Sequence, residues 1–183
     1  INLKNKSLKD TLKHPTWKMG MKNTIDSATM VNKCLEIIEA HYLFNFKYSN
    51  LDIIIHPESL VHSIIEFKDS TLIANISDNN MSIPIFNFLN LNLNKNCPFK
   101  TLNLANNKKF SFYKPDKNKY KILKIFDHLD KNSVSEIIVF NTSNEIAVKN
   151  FVNNKISFTK IIEYIDKSLN KFEKTNINNI NEV

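Results

Sequence analysis

The chain has no arginine and no glutamine, one glycine (Gly20), one tryptophan (Trp17) and two cysteines (Cys34 and Cys97) in 183 residues. Two cysteines cannot staple a secreted disulfide scaffold. A single glycine excludes the glycine-rich turn that cradles a dinucleotide pyrophosphate. No apolar run approaches the roughly 18 residues of a membrane-spanning helix, and the opening INLKNKSLKD holds no signal-peptide core, so no membrane partner is expected. The net charge of +7 comes entirely from lysines spread along the chain. A nucleic-acid binder clusters its basic residues and favours arginine for bidentate contacts, so no nucleic-acid partner is expected either. The surplus of Asn, Ile, Phe and Lys has a simpler source in A- and T-rich codons. At 42% hydrophobic, the chain is near the globular norm of about 45–50%, and the expectation is a soluble, intracellular protein of one domain or two small ones.

Within that frame the pattern predicts an α/β (α+β) part followed by a helical bundle. Residues 1–13 read as a polar lead-in and 14–22 as a loop, since they hold Pro15, Trp17 and Gly20 and lack a period. A helix is predicted over 26–44, with Asp26 and Ser27 as N-cap candidates and an apolar stripe of Val31, Leu35, Ile38 and Tyr42. Thr29, Asn32, Lys33 and Glu36 fall on its opposite side. Strands are predicted at 51–56, 60–67 and 71–76, the last two joined by a Lys68-Asp69-Ser70 turn, and a short helix at 85–91. Helices follow at 120–131, 136–153 and 158–172, with a fraying tail after Lys174. The expected divisions are 1–91, a connector at 92–118 and a helical bundle at 119–183.

Chemistry concentrates around the first helix. Free N–H groups and the dipole at a helix start suit an anion such as phosphate, to which Ser27 adds a hydroxyl, Asn32 an amide and Lys33 a charge. Glu36 offers hard oxygens to a divalent cation, or simply pairs with Lys33 as on any solvated helix face. Spacing leaves both readings open. His41, His56, His62 and His128 have no metal-ligand spacing, and Cys34, between the two faces, reads as a packing residue.

The stretch LKHPTWKMGMKNTIDSATMVNKCLEIIEAHYLF at 12–44 closely resembles the 1-deoxy-D-xylulose 5-phosphate reductoisomerase family, through HPTWxMG and DSATxxNKxxE. The segment IIIHPESLVHSIIEFKDSTLIA at 53–74 is similar to the family's HPQS…IHS strand pair, and FNTSNEIAVKNFVNNKISFTKI at 140–161 to its NAANE helix. The resemblance implies an α/β catalytic domain portion, a connector and a C-terminal helical bundle. It implies an NADPH-dependent oxidoreductase of non-mevalonate isoprenoid biosynthesis, using Mg2+ or Mn2+ (Co2+ as a third candidate), which turns 1-deoxy-D-xylulose 5-phosphate into 2-C-methyl-D-erythritol 4-phosphate. By the same resemblance His14, Ser27, Asn32, Lys33 and Glu36 contact the phosphosugar, and His14, Lys33 and Glu36 form the catalytic set. Glu36 is the metal ligand, Trp17 and Met19 belong to the closing active-site loop, and Gly20 lies beside the NADPH. A homodimer is implied, in bacterial cytoplasm or a plastid-type organelle.

Some of the family pattern is not in these residues. The NADPH-binding domain, two further metal carboxylates and a phosphate-contacting serine are expected upstream, in cis or as a separate chain, and the chain is not expected to turn over alone. Cys34 and Ser70 stand where the family commonly has glycine. A non-catalytic remnant that binds a sugar phosphate or a partner subunit would carry the same Ser27, Asn32, Lys33 and Glu36.

Overall fold

The computed structural model describes residues 20–91, 96–106, 109–177 and 179–182. They pack as two compact units, one of 20–53 with 115–182 and the other of 54–114, a grouping by contact that cuts across the linear order. The structure is mostly helical, with one two-stranded antiparallel sheet among the described residues.

The first unit opens with α1 (Met21–Thr29) and α2 (Val31–Phe44). Sequence pattern predicted one helix starting at 26; instead a helix starts five residues earlier and is interrupted at Met30, whose φ is 68°. A methionine in this left-handed conformation is strained by about 1–2 kcal/mol, so its surroundings must hold it there. They do. The Met30 N–H donates to Ser27 O at 3.2 Å, Cys34 N–H to Met30 O at 3.3 Å, and Thr29 Oγ1 to Ile25 O and Asp26 O at 3.1 Å each. Thr29 is therefore buried and tied to its own helix, and does not join the polar face expected of it. Neither Asp26 nor Ser27 caps a helix; Gly20 occupies that position, and Asp26 lies inside α1 at 1% exposure.

The buried stripe of α2 is Val31, Cys34 and Ile38, while Tyr42 is exposed. Cys34 is fully buried where glycine is common in the resembled family, and its sulfur fills the seam. A 3-10 turn at Tyr48–Asn50 follows.

In the second unit β1 (Val61–Glu66) pairs with β2 (Leu72–Ile76), as the alternation predicts. Ser70 in the turn has a φ of 67°, which explains why glycine is common there in the resembled family. The predicted strand at 51–56 is reduced to one bridge, Ile55 to Tyr113. Here α3 spans Ser82–Leu89, starting before the predicted 85. Among the described residues of 1–91, regular α/β structure thus amounts to helices and a hairpin rather than a full sheet.

The chain then returns to the first unit, whose bundle consists of α4 (Lys121–His128), α5 (Val134–Val152) and α6 (Phe158–Lys171). Its core holds Ile122, Phe126, Phe140, Phe151, Phe158, Ile161 and Ile165, with Phe126 and Phe140 ring centroids 5.9 Å apart. The helix α5 begins on a Ser133/Glu136 capping pair: Glu136 N–H donates to Ser133 Oγ at 3.3 Å, and Glu136 Oε2 accepts from Asp130 N–H at 2.9 Å. The segment after α6 does not simply fray, because Lys174 pairs with Asp130 and Glu136 at 2.9 Å each and Thr175 N–H reaches Ser135 Oγ at 3.3 Å.

Burial pushes the Cys34 thiol up to about 12, whereas Cys97 is exposed. At about pH 8, Cys97 should react promptly with a chromogenic disulfide and Cys34 only upon unfolding. Two equally fast thiols in the folded protein would contradict this packing.

Candidate functional site

After the break at Met30, the first turn of α2 buries Val31 and Cys34 and leaves Asn32 and Lys33 partly exposed. Asn32 and Lys33 sit in that turn, at the positive end of the α2 dipole, and Glu36 lies one turn on. Glu36 is their hub: Oε1 accepts from Asn32 Nδ2 at 2.6 Å and from Lys33 Nζ at 2.8 Å, and Oε2 from Lys33 Nζ at 2.7 Å. The Lys33 and Glu36 side chains are 43% and 47% exposed, so ligand oxygens can reach the ammonium without unpacking the core. In high dielectric such a pair adds roughly 0–1 kcal/mol to stability, and it opens readily.

Ser27 is half-buried on the last turn of α1, where its carbonyl holds the Met30 N–H. It is not at a helix start, so the positive dipole end belongs to α2. Gly20 is extended, with φ −56° and ψ 154°, and a Cβ built there meets nothing within 4 Å. Neither backbone strain nor crowding by the described residues requires glycine at that position. His14, Trp17 and Met19 lie outside the described residues.

A second cluster, on α1 and α5, was missed by sequence reading. Asp26 Oδ2 accepts from Lys22 Nζ at 2.6 Å, and Asp26 Oδ1 from Asn144 Nδ2, on α5, at 2.9 Å. The i, i+4 spacing of Lys22 and Asp26 is readable in the sequence, although local rules make Asp26 a cap candidate, and Asn144 carries only the NAANE likeness.

Three of the remaining histidines have structural partners. His41 Nδ1 lies 2.6 Å from Phe46 O with its ring stacked on Tyr48, His56 Nδ1 lies 2.9 Å from Ser111 O, and His62 Nε2 lies 3.1 Å from Ser77 O. No group of three or more His, Cys, Asp or Glu able to hold a metal ion occurs among the described residues. A cleft of about 400 Å³ lined by His41, Lys47, Tyr48 and Lys131 includes none of the polar turn.

Comparison with known proteins places this arrangement. A family model described as the DXP reductoisomerase C-terminal domain matches residues 76–183, and one described as the 1-deoxy-D-xylulose 5-phosphate reductoisomerase C-terminal domain matches residues 1–44. The 1-deoxy-D-xylulose 5-phosphate reductoisomerase of Ehrlichia ruminantium (strain Gardel) is 42% identical over 183 residues, which is 99% of this chain and 47% of the relative. That of Clostridium tetani is 41% identical over 170 residues, covering 93% and 44%. A solved reductoisomerase in complex with NADPH, fosmidomycin and magnesium superposes with a TM-score of 0.87 at 36% identity, over 92% of this chain and 41% of that one. The Zymomonas mobilis enzyme in complex with NADPH gives 0.84 at 29% identity, over 98% and 46%. The chain spans about half the length of the curated relatives it matches.

Fold and site thus define a C-terminal, mostly helical domain that carries an exposed amide–ammonium–carboxylate turn. The chain belongs to the 1-deoxy-D-xylulose 5-phosphate reductoisomerase family.

Because the polar turn is exposed, its side chains contribute little to folding. Lys33→Met and Gly20→Ala should each change unfolding free energy by less than ~1 kcal/mol in a denaturant titration. A loss of several kcal/mol from Lys33→Met would make the turn structural, and one from Gly20→Ala would make glycine a structural requirement at the start of α1.

Proposed function

We propose that this chain is the C-terminal catalytic and helical part of an enzyme that converts 1-deoxy-D-xylulose 5-phosphate to 2-C-methyl-D-erythritol 4-phosphate in non-mevalonate isoprenoid biosynthesis. The observation that carries the reading is the exposed turn in which Asn32, Lys33 and Glu36 already touch one another. In this reading Lys33 leaves Glu36 to meet the substrate phosphate, with Asn32 and Ser27 donating hydrogen bonds to the same oxygens. Phosphate is remote from the reacting carbons, so its binding energy serves to orient the sugar. His14 adds a contact, Trp17 and Met19 close over the sugar, and Gly20 lies on the cofactor side. Division of the chain at about 91 and 118 into catalytic portion, connector and bundle is part of the same proposal.

A metal and NADPH belong to the complete enzyme, and the described residues do not suffice for either. Glu36 is one carboxylate, already shared with Asn32 and Lys33, where Mg2+ or Mn2+ wants several oxygens. One glycine cannot make a dinucleotide turn. Both therefore require the other half of the protein, in cis or in trans. Bacterial relatives support the cytoplasm as the location, and assembly as a homodimer is proposed with the rest. Neither membrane nor nucleic acid enters this reading; no helix among the described residues is long and apolar enough to cross a membrane.

Kinetics on the complete enzyme test it. Glu36→Gln should lower metal-dependent kcat by on the order of a hundredfold or more. Lys33→Ala, removing a charge-assisted bond of about 1.5–3 kcal/mol, should raise the phosphosugar KM by roughly ten- to a hundredfold. Near-normal turnover in the first would remove Glu36 from the metal, and an unchanged KM in the second would remove Lys33 from the phosphate. A non-catalytic remnant would show no turnover before any substitution.

A further inference from the structure

The most unusual residue of the bundle is polar. Along α5 the buried positions are Ser135, Ile137, Phe140, Ser143, Asn144, Ala147, Val148 and Phe151; two of them are serines, and one, Asn144, is an amide at 0% exposure. An amide so deeply buried persists only if something needs it, because its polar atoms must be satisfied away from water. Its nitrogen faces Asp26 Oδ1 at 2.9 Å, and its oxygen has no hydrogen-bond partner among the described residues. The contacting atom must be the Nδ2 group, since a carboxylate oxygen accepts. Asn144 thus leaves its own oxygen unsatisfied in order to donate to Asp26.

Asp26 is no ordinary recipient. It is 1% exposed, and its other oxygen is held by Lys22 on the same helix. Among the described residues, Asn144 is therefore its partner from outside α1. Asp26 directly precedes Ser27 and stands four residues before the left-handed joint at Met30, from which Asn32, Lys33 and Glu36 are aimed. Without the Asn144 donor, a buried carboxylate oxygen would need water, and α1 could supply it only by turning or shifting. Either movement carries Ser27 and the joint with it.

We infer that Asn144 is a positioning residue: through its buried hydrogen bond to Asp26 it fixes α1 on the bundle and thereby sets the placement of Ser27, Asn32 and Lys33 toward a phosphate, with Glu36 beside them. This rests on the proposed phosphosugar site. The test is made in the complete enzyme with Asn144→Leu, Asn144→Asp, the exchanged pair Asp26→Asn with Asn144→Asp, and Ile165→Val as a core control. In the exchanged pair, the amide introduced at position 26 would accept from Lys22 through its oxygen and donate through its nitrogen to the carboxylate introduced at position 144.

Asn144→Leu and Asn144→Asp should raise the phosphosugar KM by about tenfold or more with the NADPH KM unchanged, as expected when a binding group is displaced by a fraction of an ångström. The exchanged pair should recover most of that loss, and Ile165→Val should not move the KM. Amide hydrogen exchange should accelerate in residues 21–33 ahead of the rest of the bundle. Loss of stability with an unchanged phosphosugar KM, or no recovery in the exchanged pair, overturns the inference. If the wild-type enzyme has no turnover, the proposed function falls, and exchange decides alone: acceleration confined to 21–33 supports the positioning role, while uniform acceleration across the bundle overturns it.

Discussion

A left-handed residue between two helices, Met30, is the constraint on which the arrangement of the site depends. A continuous helix from 21 to 44 would carry Thr29 and Asn32 on related faces and bury or expose them together. The break lets α1 turn Thr24, Ile25, Asp26 and Thr29 inward while α2 restarts with Asn32, Lys33 and Glu36 outward. The strain at Met30, about 1–2 kcal/mol, is offset by hydrogen bonds from Thr29 and across the joint and by burial of Met30 itself. A deep anchor at Asp26 and an exposed polar turn are thereby placed close together along the chain.

The two polar groups on either side of the joint are held by different physics. Lys33 and Glu36 form a half-exposed pair, cheap to open and therefore able to exchange partners. Asp26 and Asn144 are buried, where a hydrogen bond is costly to lose because water cannot replace it. Such a division suits the proposed site, with labile groups free to change partners and fixed groups that hold the helix from which they follow. Local packing also accounts for the two positions that differ from the family's glycines. Cys34 occupies a fully buried position that tolerates a small side chain, and Ser70 accepts a left-handed turn conformation at an exposed hairpin.

Periodic elements were legible in the sequence. The β1–β2 hairpin, the bundle helices and the stripe of Ile161 and Ile165 follow directly from alternation and helical spacing. So was the exposed grouping of Asn32, Lys33 and Glu36, because one helical turn fixes which side chains meet. Helix boundaries around residue 26 were not. Asp and Ser before an apolar run read as a cap by local rules, whereas Asp26 is interior because Asn144, 118 positions away, gives it a partner. Long-range polar pairing of this kind leaves no period to detect. The Met30 break was hidden for a related reason, as no glycine or proline marks it and tertiary burial overrides methionine's preference for continuous helix.

In the proposed reading, the chain would supply a phosphate anchor and one carboxylate, with NADPH and the remaining metal oxygens held by another half. The most direct measurement is phosphosugar-dependent NADPH oxidation, made on the chain alone and on the chain together with a separately produced NADPH-binding half, each with Mg2+ present. Turnover only in the combined sample is the predicted result. Turnover by the chain alone would contradict the account, as would a silent mixture in which both halves are folded and bound to each other.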